Sequence, residues 1–70
     1  MITMQWVKYW VNKVSSEGWR VTSDVQGENV RFQFRAPSGR LFAGQYHPDT
    51  REAYCNALAQ VARHFTELPL

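Results

Sequence analysis

Seventy residues allow one domain, 1–70, and exclude a second, because a chain this short buries only about 60% of the surface its unfolded state exposes. A composition that is 44% hydrophobic and 14% aromatic excludes a disordered tail. Eight Lys and Arg against six Asp and Glu, a formal +2, permit an anionic partner without requiring one. A single cysteine, Cys55, rules out an internal disulfide and suits a reducing compartment, so the expected location is cytoplasmic. Met1 to Gln5 lack a basic region followed by an apolar run, and nothing approaches the roughly 18 apolar residues of a membrane span, so a soluble, unprocessed chain is expected.

The first element is a helix. Trp6, Trp10 and Val14, with Val7 and Val11, share one side at helical spacing, and Gly18 is a C-terminal stop. Ile2 and Tyr9 widen the apolar arc beyond what one flat sheet covers, which predicts that Tyr9 has one side in water or on a partner. From Trp19 to Tyr46 the period changes to two. Trp19, Val21 and Val25 alternate with Arg20, Thr22 and Asp24, and Val30, Phe32 and Phe34 alternate with Arg31, Gln33 and Arg35. Matching like faces across the turn Gln26-Gly27-Glu28-Asn29 pairs Val25 with Val30, Val21 with Phe34 and Asp24 with Arg31. A three-residue loop, Pro37-Ser38-Gly39 with a left-handed glycine, then pairs Phe34 with Phe42, Phe32 with Gly44 and Val30 with Tyr46.

Asp49 followed by Glu52 reads as a capping box for a second helix, whose stripe is Tyr54, Ala57, Leu58, Val61 and Phe65. Leu68-Pro69-Leu70 ends it. The fold class that follows is α+β: an αβββα chain, a three-stranded antiparallel meander with both helices packed on one apolar face and the other face open.

The order helix, three strands, helix resembles the double-stranded-RNA-binding domain, through the run from Val30 to Phe65. Gly39, Phe42 and Gly44 followed by Thr50-Arg51-Glu52-Ala53 stand where that family has a short hairpin, a glycine and a basic helix start. The lysine cluster with which the family grips phosphates is reduced here to Arg51. The stretch Glu17-Gly18-Trp19-Arg20-Val21, with Gly27 before the next strand, is similar to the HicA mRNA-interferase toxins. That family has a catalytic histidine two positions after the matching glycine, where this chain has Glu28, Asn29 and Val30. The resemblance implies the fold and not the nuclease. Sheet-and-helix DNA-binding domains of the ethylene-response type show the same glycine, aromatic and Glu-Ala helix start.

Catalytic and metal sites find little support in the residues. Cys55 and His64, nine residues apart on one helix, fall on opposite sides. His47, Asp49, Cys55 and His64 have no metal-ligand spacing, and capping accounts for Asp49 and Glu52 together. No enzyme activity, cofactor or metal is expected.

The open sheet face is the stronger candidate. Arg20 and Arg35 oppose each other directly, Arg31 is partly neutralised by Asp24, and Gln33, Arg40, Leu41 and Ala43 complete a surface that mixes cations with apolar area. Tyr9 and Lys13, bordered by Ile2 and Trp6, form a second candidate strip, one that a homodimer would bury. The arginines are few and partly paired, so the expected function is a small non-catalytic module that binds a protein. An adaptor, or an inhibitor of the kind phages and mobile elements direct at host enzymes, fits its size. An RNA- or DNA-binding domain is the alternative.

Overall fold

Thr3 starts the first helix, α1 (Met4–Ser16), by accepting the Trp6 N–H on its Oγ1 at 3.1 Å. Gly18, at φ +79°, ends it in a Schellman motif: Trp19 N–H donates to the Val14 carbonyl at 3.0 Å and Gly18 N–H to that of Ser15 at 3.2 Å. The reversal turns Trp19 back over the core, where its ring lies 5.5 Å from Phe42 and 5.6 Å from Phe65. The remaining elements of this computed structural model, which describes residues 2–67, are β1 (Arg20–Gln26), β2 (Asn29–Arg35), β3 (Leu41–Ala43) and α2 (Thr50–Glu67). The expected helix end at Leu68-Pro69-Leu70 lies outside the described residues.

The strands form an antiparallel sheet in the order β1-β2-β3, so the α+β fold with a meander is the observed one. Gly27, at φ +63°, occupies the first position of the two-residue turn between Gln26 and Asn29 and sets the register read from the alternation: Arg20 opposite Arg35, Val21 opposite Phe34, Asp24 opposite Arg31. Gly39, at φ +94°, completes the second loop, which Ala36 N–H closes by donating to the Arg40 carbonyl at 2.9 Å.

Phe34, Leu58 and Val61 are fully buried, and with Val14 and Ala57 they make the core. α2 packs across β2 and β3, and α1 packs against α2 on the same side of the sheet. The approach is closest at Gly44, where a Cβ would stand 2.9 Å from the Cβ and backbone N of Ala57.

Three expectations are corrected. Val21 and Val25 face the helix side but are 49% and 71% exposed, because α2 lies over β2 and β3 and leaves β1 largely uncovered. The third strand does not continue to Tyr46 in register: Phe42 pairs with Phe34 and Gly44 N–H donates to the Phe32 carbonyl, but Val30 then bridges His47, not Tyr46. One extra residue between Gly44 and His47 shifts the register as a bulge does, and the Gln45 N–H is satisfied by Asn56 Oδ1 of α2 at 2.8 Å. At the start of α2, Asp49 Oδ1 accepts the Glu52 N–H as expected of a cap, while the Asp49 N–H goes to His47 Nδ1 at 3.1 Å and not to Glu52.

Two substitutions test this packing by urea unfolding. Gly44→Ala places a methyl against Ala57 and is expected to cost about 1–3 kcal/mol. Val25→Ala, on the uncovered strand, is expected to change stability by less than about 0.5 kcal/mol, whereas Leu58→Ala costs about 2–5 kcal/mol.

Candidate functional site

The side of the sheet away from the helices presents Arg20, Thr22 and Asp24 from β1, Arg31, Gln33 and Arg35 from β2, and Leu41 and Ala43 from β3. Strand alternation puts them there: their neighbours Phe32, Phe34 and Phe42 point into the core. The face divides into two ends of different chemistry.

At the end near the first turn, Arg31 clasps Asp24 with two bonds, Nε to Oδ1 at 3.3 Å and Nη2 to Oδ2 at 3.1 Å. Tyr46 joins them. Its hydroxyl donates to Asp24 Oδ2 at 2.8 Å, and its ring lies 4.7 Å from the Arg31 guanidinium carbon. The Tyr46 hydroxyl first, and Arg31 second, hold the Asp24 carboxyl below the usual range, and the same bond raises the Tyr46 phenol. Pairing with Val30 would put Tyr46 on the helix side, and the one-residue shift of register turns it to the open face. The local signals of the shift are Gly44 and Pro48 on either side of it, since glycine or proline in a strand pattern marks a bulge or a strand end.

At the other end Arg20 and Arg35 stand directly opposite each other, both exposed, and no carboxylate bridges either one among the described residues. Leu41, paired with Arg35, is 47% exposed beside them, and half-buried Gln33 lies between Thr22 and Ala43 toward the middle of the face. Arg40 does not belong to this group. Its guanidinium carbon lies 5.0 Å from the Phe42 ring, and it shares a small hollow with Gln60, Arg63 and His64 of α2 on the helix side.

The α1 strip is likewise more tied down than its letters indicate. Lys13 Nζ pairs with Glu17 at 3.0 Å, which raises its pKa, and lies 5.6 Å from the Phe65 ring. Tyr9, 60% exposed, rests edge-on against Trp10. Trp6 packs on the core, and Ile2 instead lines hollows against α2. The larger of these, about 510 Å³, is mainly apolar and lies between the starts of the two helices over Phe32.

Cys55 is half-buried, and half-buried His64 lies beside the rings of Trp19, Phe42 and Phe65. The described residues contain no cluster of three or more His, Cys, Asp or Glu placed to hold a metal ion. Among them no helix is long and apolar enough to cross a membrane. No family model, no curated protein and no solved structure matches the chain.

The Asp24 cluster makes a pH prediction. A carboxyl whose pKa is lowered by folding stabilises the native state above its ordinary value, about 4, and that contribution is lost as pH falls through the lowered one. Thermal unfolding of the wild type is therefore expected to fall more steeply below about pH 4 than that of Asp24→Asn. In Tyr46→Phe, an NMR titration is expected to show the Asp24 pKa moved upward.

Proposed function

We propose that this protein is a non-catalytic binding module whose open sheet face docks an acidic segment of another protein. The supporting observation is the Arg20–Arg35 pair. Like charges directly opposite each other on adjacent strands are destabilising, so the pair costs the free protein stability. On the same face Arg31 is neutralised by Asp24, and on α1 Lys13 is neutralised by Glu17. A partner carboxylate placed between two guanidinium groups would relieve the repulsion and accept bidentate hydrogen bonds. Leu41 supplies apolar contact area beside them. An adaptor or an inhibitor of a larger enzyme works in this way, by occupying a surface.

The test separates binding from folding. Arg35→Glu turns the repulsive pair into an attractive one and is expected to raise stability by a few tenths of a kcal/mol while abolishing capture of the partner. Affinity capture with the wild type and this variant, read by mass spectrometry, identifies proteins retained by the first and lost by the second. A partner held equally by both overturns the assignment of the face. A gel shift with mixed nucleic acids at low salt discriminates the other class: salt-sensitive retardation lost in Arg35→Ala would make the face a nucleic-acid surface.

A further inference from the structure

β1 and β3 are the two edges of the sheet, and only one of them has the usual protection against pairing with another chain. β3 is three residues long. β1 runs for seven, Arg20-Val21-Thr22-Ser23-Asp24-Val25-Gln26, with no proline and no inward-facing charge, and its one ladder among the described residues is with β2. Because a two-residue turn closes the hairpin at Gln26 and Asn29, the pairs Val25–Val30, Ser23–Phe32 and Val21–Phe34 are the ones that exchange no hydrogen bonds. The N–H and C=O groups of Val21, Ser23 and Val25 therefore point outward along the edge.

The side chains of this strand are arranged symmetrically about Ser23. Val21 and Val25, exposed on the helix side, are equidistant from it; Thr22 and Asp24 flank it on the open face; Arg20 and Gln26 are the long polar ends. We propose that β1 is a self-pairing edge: a second copy of the chain adds antiparallel to it, about a two-fold axis through Ser23, to make a six-stranded sheet. In that register Val21 packs on Val25 of the second copy and Val25 on its Val21, which covers the apolar side chains that α2 leaves bare. Arg20 lies opposite Gln26 of the second copy and diagonal to its Asp24, so no like charges stand directly opposite; the two Asp24 carboxylates, diagonal across the axis, are each bonded to Arg31 and Tyr46 of their own copy. A strand whose pattern reads alike from either end is what an isologous contact requires, and it singles out another copy as the occupant over an unrelated strand.

The inference rests on the β1 edge and is independent of the reading of the open face. The two-fold axis is perpendicular to the sheet, so both open faces would lie on one side. The dimer would then present two Arg20–Arg35 pairs to a partner and strengthen its capture through bivalency.

Sedimentation equilibrium over a wide range of concentration is the test, with amide exchange measured at both extremes. The wild type is expected to pass from monomer to dimer, with the amides of Val21, Ser23 and Val25 gaining protection in the dimer. Val25→Lys, at an exposed site, is expected to keep the fold by circular dichroism and to weaken the dimer at least about tenfold, since each lysine would face a valine across the axis. Directly opposed residues with Cα atoms about 5.5 Å apart are within disulfide reach, so Ser23→Cys in a Cys55→Ser background is expected to crosslink on oxidation faster than Gln60→Cys on α2. A wild type that stays monomeric throughout overturns the proposal. So does a dimer that Val25→Lys leaves intact, or a Ser23→Cys chain that crosslinks no faster than the α2 control.

Discussion

The arrangement depends on one close contact, that of Gly44 with Ala57. A side chain at Gly44 would press on Ala57 and push α2 from the sheet; with hydrogen at one position and methyl at the other, the helix settles over β2 and the end of β3. From there Leu58 and Val61 reach Phe34, and Asn56 reaches the backbone of Gln45. The same placement has a cost elsewhere. α1 packs against α2 beside it, and little of either helix extends over β1. Three strands are wider than the helical layer that covers them, so the apolar side of the first strand is left half bare. Among the described residues no further element covers it.

Most of the fold is legible in the letters, because two periodicities and three glycines determine it locally. The change from helical spacing to alternation at Trp19 marks the end of α1, and Gly18, Gly27 and Gly39 each occupy a left-handed position that an L side chain would strain. The register of both hairpins follows as far as Gly44, since a slip would drive Phe32 or Phe34 into water. Beyond Gly44 that constraint lapses. Tyr46 is amphipathic, and either face accommodates it: its ring is sheltered by Arg31, and its hydroxyl bonds Asp24. What decides is the contact with α2, a tertiary effect. The exposure of Val21 and Val25 was hidden for a related reason. Alternation shows which side of a strand is apolar, and only the position of the helices shows whether that side is covered.

The candidate surface was partly readable on the same grounds. Arg20, Arg31, Gln33, Arg35 and Leu41 share the open face as the alternation requires. Arg40 sits in a loop, where the period of two no longer determines direction, and it turns to the opposite side onto the Phe42 ring. Lys13 and Tyr9 are neighbours on α1, yet Glu17, one turn beyond Lys13, takes up its charge.

The structure therefore divides its electrostatics sharply. One end of the open face is satisfied internally, through Asp24, Arg31 and Tyr46, and gains rigidity from hydrogen bonds that reinforce one another across β1, β2 and the segment after β3. The other end is not. Arg20 and Arg35 stand opposite each other at the open end of the hairpin, farthest from the turn that clamps it, on backbone that is held by the pairing of Val21 with Phe34, a side chain of the core. The backbone positions of the two arginines are thus held by burial on the reverse side of the same strands. If this face docks a carboxylate as proposed, the strands that carry the two arginines are ordered beforehand, and the ordering cost of binding falls on the exposed side chains of Arg20 and Arg35 alone.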